Sequence, residues 1–305
     1  MFQLTNATST ALCLANSLIS RRSFSLYDQL VRYKWWFKSG YMSSTGKCIG
    51  IRESTKESLC EFERRQQRYA NEWGISMKDM DYLSDPGLLK QFNTCCIKDE
   101  VADNDALVRL APVPLFFYRF PQAGVEYSGR SGQITHGDKI VYDACRYYGA
   151  LIVAALHGST KEQLLDNQFY LKNKSWFSDI ELHRDVESVA KGSYKRNGYD
   201  AGIRGKDHIV SALEAALWAF WSDDGSFEKG VLAAVNLGDD TNTTAAIYGQ
   251  LAGAYYGYRA LPARWLKSVH AKTFIEKLSK WIAVEGESCQ KRYEAFLSRS
   301  SKSNS

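Results

Sequence analysis

The chain has 305 residues, 45% of them hydrophobic, with 39 Lys or Arg against 34 Asp or Glu and a formal net charge of +5. That is ample apolar material for a packed core, and the interspersed signs, with no long single-sign block, exclude a dedicated nucleic-acid binder. The seven cysteines, at 13, 48, 60, 95, 96, 145 and 289, are odd in number and lack zinc-like spacing, so free thiols in a reducing, cytoplasmic compartment are expected.

Apolar residues at helical spacing predict helices over 9–20, 26–38 and 56–72. The apolar stretch 11–19 is too short to span a bilayer. No basic residue precedes it, and it runs into Arg21 and Arg22 where a leader cleavage site would stand, so no membrane partner is expected. The run Arg32-Tyr33-Lys34-Trp35-Trp36-Phe37-Lys38 has the composition of a membrane or nucleic-acid patch. A helix end with buried aromatics and snorkelling cations accounts for it more simply. Asp85-Pro86-Gly87 marks a turn, and helices are predicted over 104–117, 138–156, 161–166, 207–221 and 226–235. After Gly257 come 262–267, 270–284 and 288–298, and 300–305 reads as a disordered polar tail. Strand alternation, internal repeats and linker composition are all missing, which predicts an all-α single domain over 1–299.

The densest chemistry lies in Gly238-Asp239-Asp240-Thr241-Asn242-Thr243-Thr244-Ala245-Ala246. A carboxylate, an amide and hydroxyls share one helical turn where a loop becomes a helix, an arrangement suited to a hard cation or a phosphate. Asp239 should point about 100° away from Asp240 on a helix, so it is no substitute ligand. The bland alternative makes Asp240 an N-cap. The small residues that follow, Gly249, Ala252, Gly253 and Ala254, are expected to allow close helix packing. His136, at a probable helix start, has its own bland reading as a backbone hydrogen-bonding partner.

On these residues the chain resembles the ADP-ribosylglycohydrolases, whose second metal motif, Asp-x-Asp-Thr, grips magnesium at a helix start. Thr5-Asn6-Ala7-Thr8-Ser9-Thr10-Ala11-Leu12-Cys13-Leu14 resembles their first motif, Thr-Asp-Asp-Thr, and Tyr41-Met42-Ser43-Ser44-Thr45-Gly46-Lys47-Cys48 a loop that follows. Arg109-Leu110-Ala111-Pro112-Val113, Thr135-His136-Gly137-Asp138 with Asp143-Ala144-Cys145-Arg146, and Leu213-Glu214-Ala215-Ala216-Leu217-Trp218-Ala219-Phe220 extend the match in order. The resemblance implies an orthogonal multi-helix bundle with its cleft on inter-helix loops. It also implies two Mg2+ ions, ADP-ribose or an ADP-ribosylated protein as partner, and hydrolysis of the N-glycosidic bond to a protein side chain. Metal contacts are implied at Thr5, Asp240 and Thr243, weakened at Asn6 and Asn242; substrate contacts at Asn104, Thr135, His136, Gly137 and Asp138.

The departures from the family pattern are charged ones. The first motif's aspartates fall on Asn6 and Ala7, and the second motif's on Asp240 and Asn242, so one carboxylate of four remains. Magnesium is held through carboxylates, and an amide oxygen neither compensates a dication nor accepts a proton from attacking water. Asp103-Asn104-Asp105 stands where the family has Gly-Asn-Gly, Gly50-Ile51-Arg52 where it has Asp-Ile-Gly, and Lys206-Asp207-His208 replaces a small-residue and tyrosine segment. The family's opening helix, which carries an acidic residue near the metals, is expected to be missing from a chain that starts at Met1, so no catalytic residue is assigned. Three readings stay open: an active hydrolase, a silent ADP-ribose-binding or regulatory relative, and a truncated product of drift.

Overall fold

The computed structural model describes residues 3–96 and 101–303. Among them nine helices have ten residues or more: α1 (Asn6–Arg21), α2 (Leu26–Ser39), α3 (Glu53–Trp73), α4 (Pro121–Gln133), α5 (Lys139–Leu156), α6 (Ile209–Trp221), α7 (Phe227–Asn236), α8 (Thr241–Tyr256) and α9 (Lys272–Ser303). Short helices and loops join them. No strand occurs among the described residues; Asp103 and His208 form an isolated bridge. No helix there is long and apolar enough to cross a membrane, and all seven cysteines are free.

Side-chain caps explain several of the starts. Thr5, Ser25, Asp138 and Ser226 each accept a backbone N–H from the first turn of α1, α2, α5 and α7. The axis of the fold is α5, with 15 of its 18 residues buried, as a helix apolar on every side must be. It packs against α4, α6 and α8, while α9 returns to lie on α1 and on the short helix Pro112–Phe117. Two fully buried polar groups on α5 are paired: Arg146 donates to Asp143 at 3.0 Å and to the Phe177 carbonyl. Asp143 also accepts from the His183 amide at 2.7 Å, so the pair pins residues 177–183 to the axis.

Helical periodicity misses α4 because Gly124, Gly129 and Gly132 lower its propensity by about 1 kcal/mol each. Those glycines form its contact surface. A Cβ at Gly129 would come 2.7 Å from Arg146 Cγ, and one at Gly149 of α5 would come 2.7 Å from Ser128 Cβ. The helix expected over 104–117 is two pieces, Asp105–Val108 and Pro112–Phe117, because Pro112 opens the second at its first turn. The helices expected over 270–284 and 288–298 are one. Gly286 does not end it; a Cβ there would meet the Phe116 carbonyl oxygen at 2.6 Å.

Two further expectations need correction. The segment expected as a disordered tail is helical through Ser303, since an established helix gains a hydrogen bond per residue and no Gly or Pro follows Gly286 in it; residues 304–305 lie outside the described residues. Gly249 and Gly253 mediate no close packing, for a Cβ on either would meet nothing within 4 Å. The tight contact between α7 and α8 is made instead by Gly230 beneath the Tyr248 ring.

These contacts separate two kinds of glycine. Gly149→Val should lower stability by about 1–3 kcal/mol through overpacking, whereas Gly253→Ala should raise it by up to about 1 kcal/mol. Urea denaturation of the two variants beside the parent checks both signs.

Candidate functional site

The first residue of α1 begins the site. Asn6 donates through Nδ2 to the Gly50 carbonyl at 2.9 Å, and Gly50, at φ +70°, makes the left-handed turn that leads into Ile51 and Arg52. Arg52 stands just before α3, and its guanidinium joins three carboxylates. Nε donates to Asp105 Oδ1 at 3.1 Å, and Nη2 donates to Asp207 Oδ1 at 2.9 Å and to Asp240 Oδ2 at 2.7 Å. Asp240 holds the N-cap position of α8 but makes no capping bond. Its carboxylate turns instead to Arg52 and to Asn104 Nδ2, 3.2 Å away.

Backbone bonds stitch the loops around this cluster. The Asn104 amide donates to the Asp207 carbonyl at 2.9 Å, and the Asp240 amide to the Gly205 carbonyl at 2.9 Å. Asn104 is completely buried and also bonds the Lys206 carbonyl, yet its Oδ1 has no partner. An orphaned buried acceptor costs about 1–3 kcal/mol.

Behind the cluster runs a buried relay. Arg109 donates to Thr135 Oγ1, which lies 2.8 Å from His136 Nδ1, and His136 Nε2 lies 2.6 Å from Asp103 Oδ1. His136 Nε2–H donates to the Asp103 carboxylate, and Arg109 Nε is left without a partner. His136 is fully buried and bonds side chains, unlike the backbone contact of its bland reading. Ser54 donates to Asp103 and Thr55 to Asp105 Oδ2 at 3.0 Å, which anchors the 103–105 loop to α3.

The electrostatics follow from burial and partners. Burial raises the Asp103 carboxyl, but the His136 hydrogen bond and charge, Ser54 and the Asp105 amide outweigh it and hold the group well below the carboxylate range. Asp105 is pushed up, by burial first and by the Asp103 charge second. Burial works to lower the Arg52 pKa. The Asp207 hydrogen bond and the charges of Asp105, Asp207 and Asp240 prevail, so the guanidinium stays charged.

The other residues implied by the resemblance are placed as follows. Thr5 caps α1, Asn242 is exposed on the first turn of α8, and Thr243 is buried beside it. Ala7 belongs to the apolar core. Asp138 caps α5, accepting from Ile140 at 2.9 Å, and Gly137 borders a separate surface cavity with Leu26, Arg130 and Ile134. The structure thus gathers Asn6, Asn104 and Asp240, reaches Thr135 and His136 through Asp103, and assigns Asp138 a capping bond. Sequence reasoning missed the partnership of Arg52 with Asp105 and Asp207. The signal was present as opposite charges at ligand-facing positions of different loops.

Among the described residues no group of three or more His, Cys, Asp or Glu is placed to hold a metal, and one oxygen of each of Asp105, Asp207 and Asp240 is taken by the Arg52 guanidinium.

An all-helical bundle whose charged loops meet at the start of α8, beside the 50–52 loop that Asn6 of α1 holds, agrees with what comparison finds. The ADP-ribosylglycohydrolase family model matches residues 2–292, and the chain belongs to that family. It is 31% identical over 281 residues to ADP-ribosylarginine hydrolase Tri1 of Serratia proteamaculans (strain 568), covering 91% of this chain and 66% of the relative. It is 30% identical over 276 residues to the Tri1 of Pseudomonas putida (strain GB-1), covering 90% and 65%. The chain therefore spans just under two thirds of the length of these two curated relatives. ADP-ribosyl-[dinitrogen reductase] glycohydrolase of Rhodospirillum rubrum is 23% identical over 270 residues, covering 88% of this chain and 74% of that protein. A solved structure titled "ADP-ribosylglycohydrolase-related protein complex" superposes with a TM-score of 0.69 and 31% identity, over 92% of this chain and 81% of its own.

The relay makes a prediction about acid. Because the folded Asp103 titrates below its unfolded value, its stabilisation is present above about pH 4 and is lost as pH falls through the folded pKa. Asp105, shifted upward, acts with the opposite sign, so the comparison must be between variants. Asp103→Asn should lose less melting temperature than the parent on going from about pH 7 to about pH 3, read by thermal denaturation.

Proposed function

We propose that this chain recognises an ADP-ribosyl group carried on a protein side chain, arginine first, and that its magnesium-dependent hydrolysis of the N-glycosidic bond is impaired. One observation carries the reading: a guanidinium stands among Asp105, Asp207 and Asp240 in the cleft where family membership implies metal charge. Asn6 and Asn242 supply neutral oxygens at two positions where the family motifs have carboxylates. When bound, magnesium supplies Lewis-acid polarisation and an activated water.

What this chain's own residues do is hold a cleft. Arg52 draws the 103–105 and 205–208 loops toward the start of α8. The His136 relay fixes Asp103, and the unpaired Asn104 Oδ1 is an acceptor for a ligand hydroxyl or amine. Arginine is favoured as the modified side chain because two relatives at 30% identity or more are named as ADP-ribosylarginine hydrolases. Seven free cysteines suit a reducing compartment.

Calorimetric titration with ADP-ribose, paired with release of ADP-ribose from an arginine-modified protein, tests the reading. The expected result is saturable binding with release at least about a hundredfold slower than by the Serratia relative under the same magnesium. Magnesium-stimulated release at the relative's rate, or no binding heat at all, overturns it.

A further inference from the structure

We propose that the Arg52 guanidinium is the resident cation of this cleft, holding Asp105, Asp207 and Asp240 together in place of a divalent metal, so that the site is assembled without magnesium. The inference rests on the reading above only in locating the cleft; it concerns how the cleft is held, whether or not a ligand binds.

The geometry is that of a built-in counterion. Arginine presents its donors in a rigid fork that stays charged at every physiological pH, and here Nε and Nη2 address different carboxylates from one planar group. The Asp105 side chain is 11% exposed and that of Asp240 15%, so both lie where an uncompensated charge is expensive. Asp207 is 70% exposed and solvent screens it, which leaves Arg52 chiefly against buried Asp105 and half-buried Asp240. The second oxygen of Asp105 is taken by Thr55, and the Asp240 oxygen facing Arg52 is shared with Asn104. A magnesium ion requires oxygens converging on one point at about 2.0–2.1 Å. Here the oxygens lie 2.7–3.1 Å from two nitrogens, Asp105 on Nε and both Asp207 and Asp240 on Nη2, of a side chain that reaches them from the 50–52 loop. Asn104, whose Nδ2 meets Asp240, keeps a buried, unpaired Oδ1 in the same cluster.

The test is thermal denaturation of the full chain without ADP-ribose, so that failure of ligand recognition has no bearing on it. The parent should melt within about 1 °C of the same temperature in about 10 mM MgCl2 and in EDTA. Arg52→Ala should melt at least about 4 °C lower in EDTA and recover part of that loss in magnesium. The double variant Arg52→Ala/Asp240→Asn should melt above Arg52→Ala and respond to magnesium less. If the single variant fails to fold, the parent's indifference to magnesium and the folding of the double variant still decide. A parent stabilised by magnesium, an Arg52→Ala variant that melts like the parent, or a destabilised one indifferent to magnesium overturns the proposal.

Discussion

A guanidinium 2.7 Å from Asp240 and 3.1 Å from Asp105 joins elements that are far apart in the chain, 53 residues in one case and 188 in the other. Two opposite unit charges 4 Å apart at an effective dielectric constant of 20 attract by about 4 kcal/mol. By the same formula a magnesium ion 4 Å from that guanidinium is repelled by about 8 kcal/mol. The attraction sets the shape of the cleft, and the repulsion makes the resident side chain and a dication alternatives.

The rest of the molecule serves to bring those charges together. Because α5 is buried on every side, α4, α6 and α8 must all rest on it, and the seam with α4 closes through glycines that leave no room between backbones. Where α8 lies determines where Asp240 sits; α6 follows directly from the 205–208 loop, so its position fixes Asp207 and the carbonyl that Asn104 needs. The contact of α9 with α1 and with Pro112–Phe117 holds the first motif against this assembly from outside. Loops placed by rigid helices in this way can exchange their chemistry while the scaffold persists.

That division explains what could be read from the chain alone. Amphipathic periodicity reveals α1, α2, α3, α5 and α6 because their apolar residues repeat at the helical interval. It fails for α4, whose contact face is made of the residues that periodicity treats as breakers, and it divides α9 at Gly286, where glycine answers a neighbouring carbonyl. In the site, the compensating contacts were not legible: Asn6 and Asn242 stand where the resemblance implies carboxylates, but pairing Arg52 with Asp105 and Asp207 requires knowing which loops touch, and that is long-range information. Asp138, in one of the matching blocks, has a role the sequence did not reveal: its carboxylate caps a helix.

The pairing also bears on whether the altered cleft is a relic. Substitutions accumulating without selection would leave buried charges unpaired, each costing about 3–5 kcal/mol. Here Asp103 has His136 and Ser54, Asp105 has Arg52 and Thr55, and Asp240 has Arg52 and Asn104. Acidic residues stand at two positions where the family has glycine, and a cation stands at a third within reach of Asp105. Opposite charges meet there from loops separated by some fifty residues of sequence. Asn104 Oδ1, on the residue whose Nδ2 meets Asp240, is a buried acceptor that its own loops do not satisfy.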